Sequence, residues 1–306
     1  MSTLSESGRS SASLREVLAS DRPLVADGAT GTMLQKAGLA NGESPERWNL
    51  EKPAAIHDLA AGYIAAGSDI IYTNTFGGNR IRLRHAGLDA AHDRVNLEAV
   101  RIAREAIAAS GRRVFLVASI GPTGEMLDPY GDLSDDDARE AFAGQCAVLA
   151  AAGVDGFACE TFTAIEEAVL ATTCAREAAG DRPVFASMAF DQSGFTMMGV
   201  TPEDAIAALF AAGADVVGAN CSVGPEVVGP VIGRMAAARP GSLLLAKPNA
   251  GMPVVMADGV GYPVAPAEIG SFAARMAGLG ARVLGGCCGT TPAHIRAIRE
   301  SVNAPA

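Results

Sequence analysis

The chain has 306 residues, 49% of them hydrophobic and 19% charged, and a formal net charge of −10. That is enough apolar material for a sizeable core, in one large domain or two average ones. The acidic balance argues against nucleic acid and anionic membrane as partners, because both are bound through an excess of Lys and Arg. No apolar run is long enough to cross a bilayer. The opening MSTLSESGRSSAS is polar and lacks the apolar stretch of a secretory signal, so a cytoplasmic location is expected.

In chain order, residues 1–20 read as a flexible segment carrying a short helix, SLREVLAS, ahead of a folded unit over 21–306. Eight β-rich runs follow: 23–29, 68–76, 114–122, 153–161, 183–190, 214–222, 242–250 and 282–290. Most are continuously apolar rather than alternating, which suits parallel strands covered by helices. Helical patterns lie between them at 53–67, 94–110, 134–153, 163–180, 201–213, 265–280 and 291–302. Ser134 precedes three acidic residues, which the helix dipole favours in a first turn. Thr201-Pro202 and Thr291-Pro292 are helix starts of the Thr-then-Pro kind. The segment GGNRIRLRHAGLD, between the second and third strands, reads as an insertion near an active site. Repeated strand–helix pairs in a chain of this size predict a single (β/α)8 TIM barrel, for which ~250 residues is typical. The first strand is not followed by G-x-G-x-x-G, which argues against a doubly wound sheet.

Functional groups of such barrels gather at the carboxyl ends of the strands. There the sequence places Asp27-Gly28, Thr73-Asn74-Thr75-Phe76, Glu160, Asn220-Cys221, Lys247-Pro248-Asn249 and Cys287-Cys288. Three of the six cysteines thus reach one rim, while Cys146 and Cys174 fall inside helical patterns and read as core. Only four histidines exist, none in H-x-H or H-E-x-x-H spacing. A zinc site would therefore rest on the sulfurs of Cys221, Cys287 and Cys288, with a fourth position open. A redox-active pair of adjacent thiols is the alternative. Three thiolates make zinc a weak Lewis acid, ill suited to activating water, which argues against a hydrolase. They suit a substrate thiol, whose proton is lost on coordination. A non-catalytic zinc- or thiol-binding module shares the same signal.

The segments VADGATGTMLQKAGL, TNTFGGNR, GPTGE, GANCS, AKPNAGMP and GGCCGTTPAHIRAI together resemble the homocysteine S-methyltransferase family over residues 20 to 302. That family includes betaine–homocysteine methyltransferase and the homocysteine domain of cobalamin-dependent methionine synthase. The resemblance implies a zinc-dependent enzyme of methionine biosynthesis, with Zn2+ on Cys221, Cys287 and Cys288 and homocysteine as the thiol. It implies that Asp27, Gly28 and Glu160 hold the amino acid moiety, with Thr73, Asn74 and Thr75 lining the pocket. Asn220, Asn249 and His294 are expected behind the ligands. An onium methyl donor (betaine, a dimethylsulfonium compound or S-methylmethionine) calls for an aromatic cage. Trp48, Phe76 and Tyr130 are the candidates. Gly77-Gly78 stands where animal betaine enzymes carry a tyrosine, so their cage does not transfer intact. No D-x-H-x-x-G cobalamin motif is present, so the alternative donor, a corrinoid or folate, would have to arrive on a separate protein. The C-terminal extension that animal relatives use to form tetramers is missing, so their assembly is not assumed and the sequence leaves the oligomeric state open.

Overall fold

The computed structural model describes residues 12–256 and 259–303. Eight parallel strands form one sheet: β1 (Leu24–Val25), β2 (Ile70–Tyr72), β3 (Phe115–Ile120), β4 (Gly156–Phe162), β5 (Val184–Met188), β6 (Val216–Asn220), β7 (Leu244–Lys247) and β8 (Ala281–Leu284). Each pairs with its sequence neighbour from β2 through β8, and β8 pairs with β1. A single bridge, Ala26 to Ile70, joins β1 to β2 and closes the ring. The fold is a (β/α)8 TIM barrel, as the alternating pattern predicts.

The expected helices are present as Pro53–Ala66, His92–Ser110, Asp135–Ala151, Ile165–Ala179, Pro202–Ala211, Pro266–Gly278 and Pro292–Asn303. Ser134 and Thr201 cap as expected, each side chain accepting from the backbone N–H three residues on. One outer helix, Pro225–Ala238, goes beyond the sequence reading. Its Gly229, Pro230 and Gly233 hide the helical period; yet Val228, Val231, Ile232 and Met235 form a buried stripe. The inserted segment after β2 contains the short helix Arg80–His85. The loop after β7 folds into an antiparallel hairpin, Val254–Met256 against Gly259–Gly261, that the sequence does not announce. Among the described residues, no helix is long and apolar enough to cross a membrane.

The barrel has two cores. The larger lies between strands and helices. The smaller fills the barrel itself, with Leu24, Ala26, Ile70, Tyr72, Val117, Ala158, Phe185, Val216, Leu245 and Val283 packed together from all eight strands. Leu14 and Leu18 of the helix Leu14–Leu18 belong to this inner cluster and plug the amino-terminal end. Arg15 fixes the plug by pairing both guanidinium ends with Asp215, at 2.7 and 2.9 Å, and by donating to the Asp181 carbonyl. The short helix expected in the segment ahead of the barrel is Leu14–Leu18. The expected disorder of residues 1–11 lies outside the described residues.

Candidate active site

Side chains alternate along a strand, so the residue two beyond an inner-core position also points into the barrel. From Val117, Ala158, Phe185 and Leu245 that step leads to Ser119, Glu160, Ser187 and Lys247. From Ala219's neighbour Gly218 it leads to Asn220, and from Val283 through Gly285 to Cys287. The apolar filling therefore gives way to a polar floor within one pleat. Above it opens a cavity of about 880 Å³, walled by residues that include Asp27, Gly28, Tyr72, Thr73, Phe76, Glu160, Cys221, Lys247, Cys287 and Cys288. Such a volume suits a small-molecule site.

Cys221, Cys287 and Cys288 meet at one side of this cavity, their sulfurs all within 4.8 Å of one another. The Cys221 and Cys288 sulfurs are 3.7 Å apart. Two sulfurs on a tetrahedral zinc lie about 3.8 Å apart, whereas a disulfide requires about 2.05 Å. All three cysteines are free. Local backbone explains how they converge. Cys221 and Ser222 hold left-handed conformations, φ 63° and 59°, which turn the chain sharply just past β6. Non-glycine residues held so cost on the order of 1–3 kcal/mol each and gather at functional sites. Gly289, at φ 79°, makes the corresponding turn after Cys288.

The thiols press on one another. Cys221 is raised above the ordinary thiol range, chiefly by its hydrogen bond with Cys287 and then by burial. Cys288 is pushed up to about 12 by Cys221 and by burial. Cys287 is also raised: its bond with Cys221 favours the thiolate, but Cys288 and burial outweigh it. Three adjacent thiols cannot ionise together unless a cation joins them. The donor set, its spacing and its open side toward the cavity fit zinc. Asn249, just past the end of β7, is buried with its Oδ1 unpartnered and does not line the cavity.

Across the cavity floor lies an ionic cluster. Lys247 Nζ is 3.4 Å from Asp27 Oδ1 and 3.7 Å from Glu160 Oε2, and sits 3.5 Å from the centroid of the Tyr72 ring. Burial opposes its charge, but Tyr72, Glu160 and Asp27 more than offset that, holding the ammonium above the usual lysine range. Asp27 is raised by burial, with Lys247 and the Tyr72 N–H acting against the rise. Glu160 accepts from Ser119 Oγ at 2.6 Å. Gly28 is required beside Asp27, because a Cβ there would lie 2.8 Å from Thr290 Oγ1 and 2.9 Å from the Tyr63 ring.

Asn220 fastens the two halves. Its Oδ1 accepts from the Thr161 N–H and from Ser187 Oγ, while its Nδ2 donates to Thr161 Oγ1 and approaches Cys287 Sγ at 3.9 Å. Other residues expected at the site are placed differently. Thr73 lines the cavity, but Thr75 does not; its hydroxyl donates to the Ser119 carbonyl. Asn74 reaches the wall, yet its amide donates to the Pro45 carbonyl and to Asn49, holding the loop before it. His294 accepts at Nδ1 from the Thr291 N–H and hydroxyl and donates from Nε2 to the Val264 carbonyl, so both ring nitrogens are engaged at a helix start.

The expected aromatic cage is not assembled. Trp48 is buried to 1% exposure, packed with Leu34, Leu39, Ile56 and Ile102, and its indole N–H donates to Glu43. Tyr130 is 69% exposed and outside the cavity wall. Phe76 does line the cavity. Composition explains the misplacement. A lone tryptophan in a rim loop satisfies its large apolar surface in the core before it serves a solvent-filled pocket. Two wall residues that the sequence reading gave no role, Lys247 at the rim and Tyr72, are marked by the alternation, since each follows an inner-core position by two residues.

A barrel that gathers three thiols able to hold a metal ion beside two carboxylates at one cavity has the make-up of a small-molecule enzyme site. Comparison with known proteins agrees: the model of the family described as homocysteine S-methyltransferase matches residues 24–302. The chain belongs to that family of methyltransferases. It is 31% identical over 299 residues to a methionine synthase of Mycobacterium tuberculosis, a match spanning 92% of this chain. It is 32% identical over 306 residues to a methionine synthase of Mycobacterium leprae, a match spanning 94% of this chain. In both cases the chain spans 25% of the relative's length. The fold is shared with a homocysteine methyltransferase of Escherichia coli, MmuM, solved in a metallated form. The TM-score is 0.78 at 23% identity, covering 94% of this chain and 99% of that one.

Proposed function

We propose that this chain is a zinc-dependent homocysteine S-methyltransferase that forms methionine. The carrying observation is the convergence of Cys221, Cys287 and Cys288 within 4.8 Å at the wall of a cavity floored by Asp27 and Glu160. Zinc held by the three sulfurs would strip the proton from the homocysteine thiol and leave its sulfur nucleophilic. Asp27 and Glu160 would receive the substrate ammonium, fixing the direction in which the sulfur faces the cavity mouth. Asn220 keeps Thr161 and the Cys287 sulfur in register while this happens. The names of the mycobacterial relatives support methionine as product, and three free thiols suit the reducing cytoplasm.

The donor reading that the sequence favours is a small onium compound. Phe76 would offer a ring face to it, with Glu43 and Glu46 supplying negative charge on the same wall. A second reading is a methyl group delivered by a separate corrinoid protein. It is favoured by the placement of Trp48 and Tyr130 away from the cavity, because such a donor needs no cage. The test is zinc-loaded protein supplied with homocysteine and, in turn, betaine, a dimethylsulfonium compound, S-methylmethionine and a methylcorrinoid protein, followed for methionine. Turnover with a small donor alone supports the first reading; turnover only with the corrinoid protein supports the second. No methionine from any of them, with zinc bound, leaves a thiol-binding module.

A further inference from the structure

Lys247 has no role in the reading above, yet its setting is unusual. It is 4% exposed and lines the cavity. An ammonium has three protons to donate, and charge-assisted hydrogen bonds to carboxylates run about 2.7–2.9 Å. The nearest carboxylate oxygens here are at 3.4 and 3.7 Å. Lys247 is therefore held in place by the field of two carboxylates and the face of Tyr72, while its donor capacity stays largely unspent. Burying a cation this loosely is costly unless a closer acceptor arrives. Tyr72 repeats the pattern: its hydroxyl is buried without a partner and its ring lines the same cavity. β7 also sets Lys247 beside the metal-side rim, since it pairs in register with Asn220 and its carbonyl accepts from the Cys221 N–H.

We propose that Lys247, assisted by the Tyr72 hydroxyl, receives the α-carboxylate of the thiol substrate and thereby selects an amino acid over a simple aminothiol. The assignment rests on the proposed reading that a thiol amino acid binds at the three cysteines. The floor then reads both charges of a zwitterion: acceptors on Asp27 and Glu160 for the ammonium, donors on Lys247 and Tyr72 for the carboxylate.

The test uses cobalt-loaded full-length protein, titrated with three thiols while thiolate-to-cobalt absorption is recorded. The thiols are homocysteine, aminopropanethiol (which lacks the carboxylate) and mercaptobutanoate (which lacks the amino group). Wild type is expected to bind homocysteine roughly 10- to 100-fold more tightly than aminopropanethiol. In Lys247→Met that preference is expected to collapse to within about threefold, with homocysteine still preferred over mercaptobutanoate. Lys247→Gln carries the same measurement if the methionine variant does not fold. A wild type without the preference, or a variant that keeps it, overturns the assignment. A lysine that merely steadied Asp27 and Glu160 would weaken both amine-bearing thiols equally and leave the ratio intact, which also overturns it. The parent reading fails separately, if none of the three thiols changes the thiolate-to-cobalt absorption of cobalt-loaded wild type.

Discussion

The two ends of this barrel are made by the same strands with the same alternation, yet they have opposite characters. At the amino-terminal end, Leu24, Val117, Phe185 and Leu245 fill the interior and the Leu14–Leu18 helix seals it. At the carboxyl end, two residues further along, the interior positions carry Ser119, Ser187 and Lys247. Burial at the first end stabilises the fold through area removed from water. At the second, buried polar groups are tolerated because they satisfy one another and await ligands. The difference teaches that, with strand parity held the same, the level along the barrel axis decides whether an inward position serves stability or chemistry.

That division can be broken by variants, in order of expected effect. Cys221→Ala should abolish stoichiometric zinc binding and lower methyl transfer by about 10³-fold or more, because the remaining two sulfurs cannot hold the ion. Elemental analysis and methionine formation measure it; full metal content in the variant would refute the three-sulfur centre. Phe185→Ala, at the other end, should lower unfolding free energy by about 3–5 kcal/mol while zinc affinity of the folded fraction is unchanged. Denaturant melts paired with metal titration check this. Asn220→Ala stands between the two and should weaken zinc about 10- to 100-fold and also cost about 1–3 kcal/mol of stability, because it orphans the Thr161 N–H and the Ser187 hydroxyl. Competition with a chelator gives the number.

Acid sharpens the comparison further. Free Cys221, Cys287 and Cys288 titrate above the ordinary thiol range, so at neutral pH they are protonated and zinc must displace their protons. Binding should therefore release about three protons per ion, and affinity should rise with pH and fall as pH drops. An indicator dye in weakly buffered solution counts them. The smallest effect belongs to Trp48→Phe, which should leave the KM of any donor within about twofold while costing stability, since the indole is in the core and not on the cavity wall.

Much of this was legible beforehand because it depends on local pattern. Continuous apolar runs gave eight strands, and the polar residues that end them gave the rim. Cys287-Cys288 and Cys221 could be joined because strand ends of a barrel share one face. What stayed hidden depends on rotation and three-dimensional packing. Nothing local separates Thr73, which faces the cavity, from Thr75, whose hydroxyl is tied to Ser119. Trp48 sits in a loop on the correct rim, and only packing shows it turned inward. Lys247 sat in plain view at a strand end, and its role needed the distances to Asp27 and Glu160.

The ring is joined between its first two strands by one bridge, Ala26 to Ile70, and the Asp27 carboxylate adds a clasp there by accepting from the Tyr72 N–H at 2.7 Å. A hoop parts at its thinnest weld. Amide hydrogens along that join should exchange before those of the other seven, and a molecule that grips Asp27 from above would slow them. Occupancy of the pocket would then be felt as tension around the whole circumference.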